Sequence, residues 1–88
     1  MSLWTLEFTN QAKRDGKKLT GTPLQAKASA LLLIIQSNPY TNPPPYEKLA
    51  GDLKGAYSRR LNIQHRLVYQ VIEEKRLIKI LRMWSHYE

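Results

Sequence analysis

In this 88-residue chain few side chains can move protons or hold phosphate: Glu47, His65, Arg66 and His86, with Lys48, Arg59, Arg60 and Tyr87 as supports. A zinc or two-metal nuclease centre needs several His, Cys or acidic ligands converging. Here the seven acids are scattered, Glu73-Glu74 fall in a turn, and there is no cysteine. No metal and no other cofactor is expected. What remains is enough to cleave RNA without a metal. Metal-free RNA cleavage asks for a general base to take the ribose 2′-hydroxyl proton, a cation for the charged phosphorus transition state, and an acid for the departing 5′-oxygen. Glu or His, Arg, and His can fill those roles.

The elements that must position these groups are legible as patterns. Residues 2–8 alternate Leu3, Thr5, Glu7 with the large apolar Trp4, Leu6, Phe8, which predicts a strand with one buried face. Thr9 or Asn10 can cap a helix starting near Gln11, in which Lys13/Lys17 and Arg14/Lys18 are like-charge pairs one turn apart. Gly21-Thr22-Pro23 reads as a stop and a start, with Thr22 capping and Pro23 at the first helical position. The second helix carries Leu24, Ala28, Leu31, Leu32 and Ile35 at helical spacing and should bury most of its length. Pro39, Pro43, Pro44 and Pro45 then form a stiff connector that cannot join a central strand, and this arm can place Tyr46 and Glu47 over the sheet.

Three further strands are predicted over 56–61, 64–72 and 77–84, separated by turns at Asn62-Ile63 and at 73–76, hence an antiparallel meander. In the middle strand Leu67, Tyr69 and Val71 face the core while Arg66, Val68 and Gln70 face away; His65, on the opposite face from Arg66, reads as a structural or rim residue. Pairing the last two strands across a turn near Glu74-Lys75 sets His86 level with Ile63 and about one position from Arg66. The expected fold is α+β: two N-terminal helices on one face of a mostly antiparallel four-stranded sheet, β-α-α-β-β-β, in one domain over residues 1–88.

Composition bounds the function. The 14 Lys+Arg against 7 Asp+Glu give a net charge of +7, which points to an anionic partner, most commonly nucleic acid. The longest apolar run, at 30–35, is far short of the ~20 residues that span a bilayer, and no leader pattern opens the chain, so a cytoplasmic protein with no membrane partner is expected. The absence of cysteine fits a reducing compartment.

The stretches Pro44-Pro45-Tyr46-Glu47-Lys48-Leu49, Gly51-Asp52-Leu53-Lys54-Gly55-Ala56-Tyr57-Ser58-Arg59-Arg60-Leu61, His65-Arg66-Leu67-Val68-Tyr69 and the terminal His86-Tyr87 resemble the Txe/YoeB toxins of the RelE/ParE superfamily. The resemblance implies a RelE-like fold and the toxin of a type II toxin-antitoxin system, a ribosome-dependent mRNA endonuclease held inactive by a cognate antitoxin. It further implies a homodimer. Residue by residue, Glu47 is similar to the general base, Arg66 to the phosphate-stabilising cation, His86 to the general acid and Tyr87 to a residue that orients the substrate. Arg60, with Arg59 and Lys54, would bind substrate phosphate, and Lys13, Arg14, Lys17 and Lys18 would face ribosomal RNA. One departure is Glu88, which follows the His-Tyr pair where family members commonly end. Two other readings compete: a non-catalytic relative on the same fold that inhibits a protein such as a topoisomerase, and a plain basic RNA-binding module. Co-occurrence of Glu47, Arg66 and His86 favours the enzyme, since a protein-binding inhibitor has no chemical reason to keep all three.

Overall fold

The computed structural model describes residues 3–49, 55–62 and 65–86, the last three as backbone only. Strand β1 spans Thr5–Phe8, and its alternation is the predicted one: Trp4 is buried and Leu6 and Phe8 half-buried, while Thr5 and Glu7 face solvent. Helix α1 (Asn10–Leu19) starts because the Thr9 hydroxyl accepts from the Ala12 amide at 3.0 Å. The same hydroxyl donates to the Leu81 carbonyl at 3.0 Å, so the cap also ties the helix to the far end of the chain. Ala12, Asp15 and Leu19 turn inward and Lys13, Arg14, Lys17 and Lys18 outward.

Helix α2 (Leu24–Ser37) begins one residue later than predicted, with Pro23 at the cap. Thr22 does not cap it. Its hydroxyl donates backwards to the Leu19 carbonyl at 2.6 Å, satisfying an orphan acceptor at the end of α1. Ala28, Leu31 and Ile35 are buried, and Leu33 lies 68% exposed on the outer side.

After the proline arm come β2 (Glu47–Lys48), β3 (Ala56–Arg60), β4 (His65–Ile72), a single 3-10 turn (Glu73–Lys75) and β5 (Leu77–His86). Arg76 takes a left-handed conformation, φ 48°, to reverse the chain between β4 and β5. The sheet order is β1-β5-β4-β3-β2, with β1 parallel to β5 and every other pair antiparallel. The sheet therefore has five strands and not the expected four, because Glu47 and Lys48 pair with Ser58 and Tyr57 along the β3 edge. The prolines stop at Pro45, one residue short of the strand, so they cost this edge no hydrogen bond.

Leu67, Tyr69, Ile78 and Ile80 share one face of the sheet and join Ala12 and Leu19 of α1 and Ala28, Leu31 and Ile35 of α2 in a single core. The β4–β5 register begins as expected, Ile72 opposite Leu77, but shifts on either side of Val68. These irregularities move the end of the pairing, so His86 stands opposite His65 and not level with Ile63, and Ser85 stands opposite Arg66. Among the described residues no helix is long and apolar enough to cross a membrane.

Candidate active site

Glu47 and Arg66 come together across β3. The Glu47 Oε2 lies 3.3 Å from Arg66 Nη1, and the same nitrogen donates to Ser58 Oγ at 3.2 Å. The register explains the meeting, since Glu47 pairs with Ser58 and Ser58 with Val68, which keeps Glu47, Ser58 and Arg66 on the face away from Leu67 and Tyr69. The two partners differ in exposure: the Arg66 side chain is 7% exposed and that of Glu47 58%. A buried cation thus holds a carboxylate that still meets solvent, an arrangement that leaves the carboxylate open to a ligand with the cation behind it.

Arg60 stands directly opposite Arg66 in the β3–β4 register, is exposed, and its side chain makes no hydrogen bond or ion pair among the described residues. Like charges opposed across a strand pair are unfavourable, and an anion between them relieves the repulsion. A cleft of about 540 Å³ takes in Glu47, Ser58, Arg60 and Arg66. Its other wall is α2, with Ala30, Leu31 and Ile34 supplying an apolar side and Lys27 a further exposed cation. Lys27 and Ser58 were not singled out from the sequence. Lys27 is one lysine among many on a helix, and Ser58 acquires its place only through its partners on two other strands.

Arg59 does not belong with Arg60. Only 1% exposed, it donates from Nε to the Tyr69 hydroxyl at 3.0 Å, from Nη1 to the Pro44 carbonyl at 2.6 Å, and from Nη2 to the carbonyls of Pro39 and Thr41 at 3.1 and 2.9 Å. Its Cζ also lies 4.9 Å from the centre of the Tyr46 ring. With four of its five N–H groups engaged, Arg59 is an anchor for the arm and not a phosphate contact, a correction to the expected set. The ring of Tyr57 meets those of Tyr40, Tyr46 and Tyr69 at centroid distances of 5.7, 5.5 and 5.8 Å, closing an aromatic cluster over the same anchor. Burial pushes the Tyr69 phenol up, against the opposing hydrogen bond from Arg59.

The backbone of His86 is placed beside the Arg66–Ser85 pair. Lys54 and Tyr87 lie outside the described residues. What fixes the course of β5 toward His86 is Asp15, a fully buried acid of α1 that the sequence did not reveal. Its carboxylate accepts from Arg82 Nε at 2.8 Å, the Met83 amide at 3.0 Å and Gln11 Nε2 at 3.1 Å. Burial pushes this carboxyl up, but the hydrogen bonds from Arg82, Met83 and Gln11, with the Arg82 charge, outweigh it and hold Asp15 below its ordinary value of 3.8. Lys13, Arg14, Lys17 and Lys18 all lie exposed on α1.

Two helices against one face of a mixed five-stranded sheet, in this order, make a RelE-like α+β fold. The family model described as YoeB-like toxin of bacterial type II toxin-antitoxin system matches residues 8–87, and this chain belongs to that family. Toxin YoeB of Mycobacterium bovis is 36% identical over 61 residues, 69% of each chain. The structure of the heterotetrameric YoeB-YefM toxin-antitoxin complex from Staphylococcus aureus contains a chain 36% identical that superposes with a TM-score of 0.79, covering 96% of this chain and 98% of that one. The S. aureus YoeB dimer superposes with a TM-score of 0.80 at the same identity and coverage.

Proposed function

We propose that this toxin is a ribosome-dependent mRNA endonuclease that cuts the message in the A site. The observation that carries the reading is the Glu47–Arg66 pair, a solvent-reachable carboxylate on a buried guanidinium inside a cationic cleft. Glu47 takes the 2′-hydroxyl proton, and the 2′-oxygen attacks the adjacent phosphorus. As the bond to the 5′-oxygen breaks, His86 gives that oxygen a proton, leaving a 2′,3′-cyclic phosphate and a 5′-hydroxyl. Arg66 and Arg60 stabilise the charge that grows on the phosphoryl oxygens, and Tyr87 orients the substrate. Every step uses a side chain of this chain and the RNA itself, with no metal ion in the reaction.

The test is single-turnover cleavage of message bound to the ribosome, with a normal or a 2′-deoxy nucleotide at the scissile position. Resistance of the deoxy message, bound as tightly as the normal one, supports the reading. Cleavage of the deoxy message ends the 2′-hydroxyl mechanism, and no cleavage of either message shifts the weight to a non-catalytic inhibitor of a protein such as a topoisomerase.

The exposed cations Lys13, Arg14, Lys17 and Lys18 are proposed to face ribosomal RNA. Ribosome affinity should then fall steeply with salt, by about 0.7–0.9 log units per log unit of salt for each phosphate neutralised. Replacing Lys13 and Lys17 with Gln should lower that slope by about 1–2; an unchanged slope would remove α1 from the interface. In the cytoplasm a cognate antitoxin is expected to hold the toxin inactive, and the free toxin to be a homodimer. An antitoxin acidic in sign complements the charge of +7 during encounter, and it would block by laying a segment across the open sheet face or by displacing the His86-Tyr87 segment.

A further inference from the structure

We infer that Arg59 is the positioning residue for Glu47: it fixes the one path of the proline arm that delivers this carboxylate to Arg66. The inference rests on the reading of Glu47 as the base. Glu47 sits in a strand of two residues, too short to hold its own position. Pro43, Pro44 and Pro45 before it have no N–H to offer a sheet, so this stretch is fastened through its carbonyls and rings. Three of those carbonyls, on Pro39, Thr41 and Pro44, accept from the one guanidinium of Arg59, and the ring of Tyr46 lies over it. On the other side of Glu47, the strand neighbour of Arg59, Ser58, is its register partner.

The fastening is reciprocal. A buried cation is tolerable only when hydrogen-bonded, and no carboxylate pairs with Arg59 among the described residues. The arm's carbonyl dipoles, the Tyr69 hydroxyl and the Tyr46 ring are what compensate its charge. Any other path of the arm strips those partners from a guanidinium that solvent does not reach. Lysine cannot substitute, because an ammonium lacks the planar fork that spans three separated carbonyls and a hydroxyl. Arg59 touches neither the substrate nor the reacting atoms in this scheme; it acts through where Glu47 stands.

Arg59→Lys should lower the single-turnover cleavage rate of ribosome-bound message, at saturating toxin, by about 10²-fold, the cost of misplacing a reacting group by roughly an ångström. The toxin concentration giving half-maximal rate should move by less than about twofold, since no RNA contact is lost. The decisive measurement is the cycle with Glu47→Gln. In that background Arg59→Lys should change the remaining rate by less than about threefold, because a residue acting only through Glu47 has nothing left to act on. A merely structural role would reduce both backgrounds by the same factor. Should Arg59→Lys fail to fold, Tyr69→Phe removes the hydroxyl that accepts from Arg59 and donates to the Pro39 carbonyl, and the same cycle is run on it with a loss of about 5–10-fold expected. A crystal structure of the variant should show Glu47 Oε2 withdrawn from Arg66 beyond the present 3.3 Å. An unchanged rate, or a full loss repeated in the Glu47→Gln background, overturns the inference. A normal rate for Glu47→Gln alone instead overturns the base assignment, and the positioning role with it.

Discussion

Glu47→Gln and His86→Gln are each expected to slow single-turnover cleavage of ribosome-bound message by about 10²–10⁴-fold while the message stays bound, the usual worth of a positioned proton-transfer group. Glutamine keeps the size of Glu47 and can still accept a hydrogen bond from Arg66, so little but basicity is lost. Arg66→Ala should also abolish cleavage, because its charge matters most when the phosphoryl oxygens gain theirs. The half-saturating concentration separates the cases: removal of a group that acts in the transition state lowers the rate at saturation, whereas removal of a binding contact raises the concentration required. Near-normal rates for both glutamine variants would end the proposed mechanism.

The second large effect is on stability. Asp15→Ala is expected to cost about 2–4 kcal/mol, since it leaves the buried Met83 amide without its acceptor and removes the ion pair that Asp15 makes with Arg82. In a domain of this size that lowers Tm by about 10–20 °C. The pH dependence carries a definite sign. A carboxyl whose pKa is depressed by folding contributes its full stabilisation above the unfolded value, close to 3.8, and loses it as pH falls through the lowered folded value. Asp15→Asn should therefore be less stable than the parent at neutral pH, with the difference closing below about pH 4. Calorimetric Tm values from neutral to strongly acidic pH check this. A constant difference would show that the carboxylate's charge is not what holds α1 to β5.

Much of this architecture is written in periodicity. The period-two pattern of Trp4, Leu6 and Phe8, the capping hydroxyl of Thr9 and the apolar face of α2 each identify their element from a handful of neighbours. The opposite facing of Leu67 and Arg66 likewise follows from alternation alone. What escaped depends on partners far away in the chain. A strand of two residues has no period, so β2 is invisible until β3 lies beside it. Arg59 and Arg60 read as a pair of equivalent cations, yet alternation buries one beneath the arm and leaves the other exposed. Asp15, between Arg14 and Gly16, looks like any solvated helix acid; Arg82 and Met83, which bury it, come 67 and 68 residues later. The place of His86 was misjudged by the register shifts around Val68, which no local pattern announces. Of the candidate site, the residue types were legible and the supports were not.

The strand order has a consequence for how the molecule comes into being. Strand β5 is the last of the described strands, yet it lies between β1 and β4, and among the described residues β1 has no other partner in the sheet. The helices and the β3–β4 hairpin can form from local contacts, but β1 must wait across 72 residues for Leu77 and its neighbours. Closure of that long loop is expected to make insertion of β5 the slow step of folding. The strand that completes the sheet also carries His86. A chain folding in this order holds no complete sheet, and on the proposed mechanism no assembled site, until β5 has entered between β1 and β4.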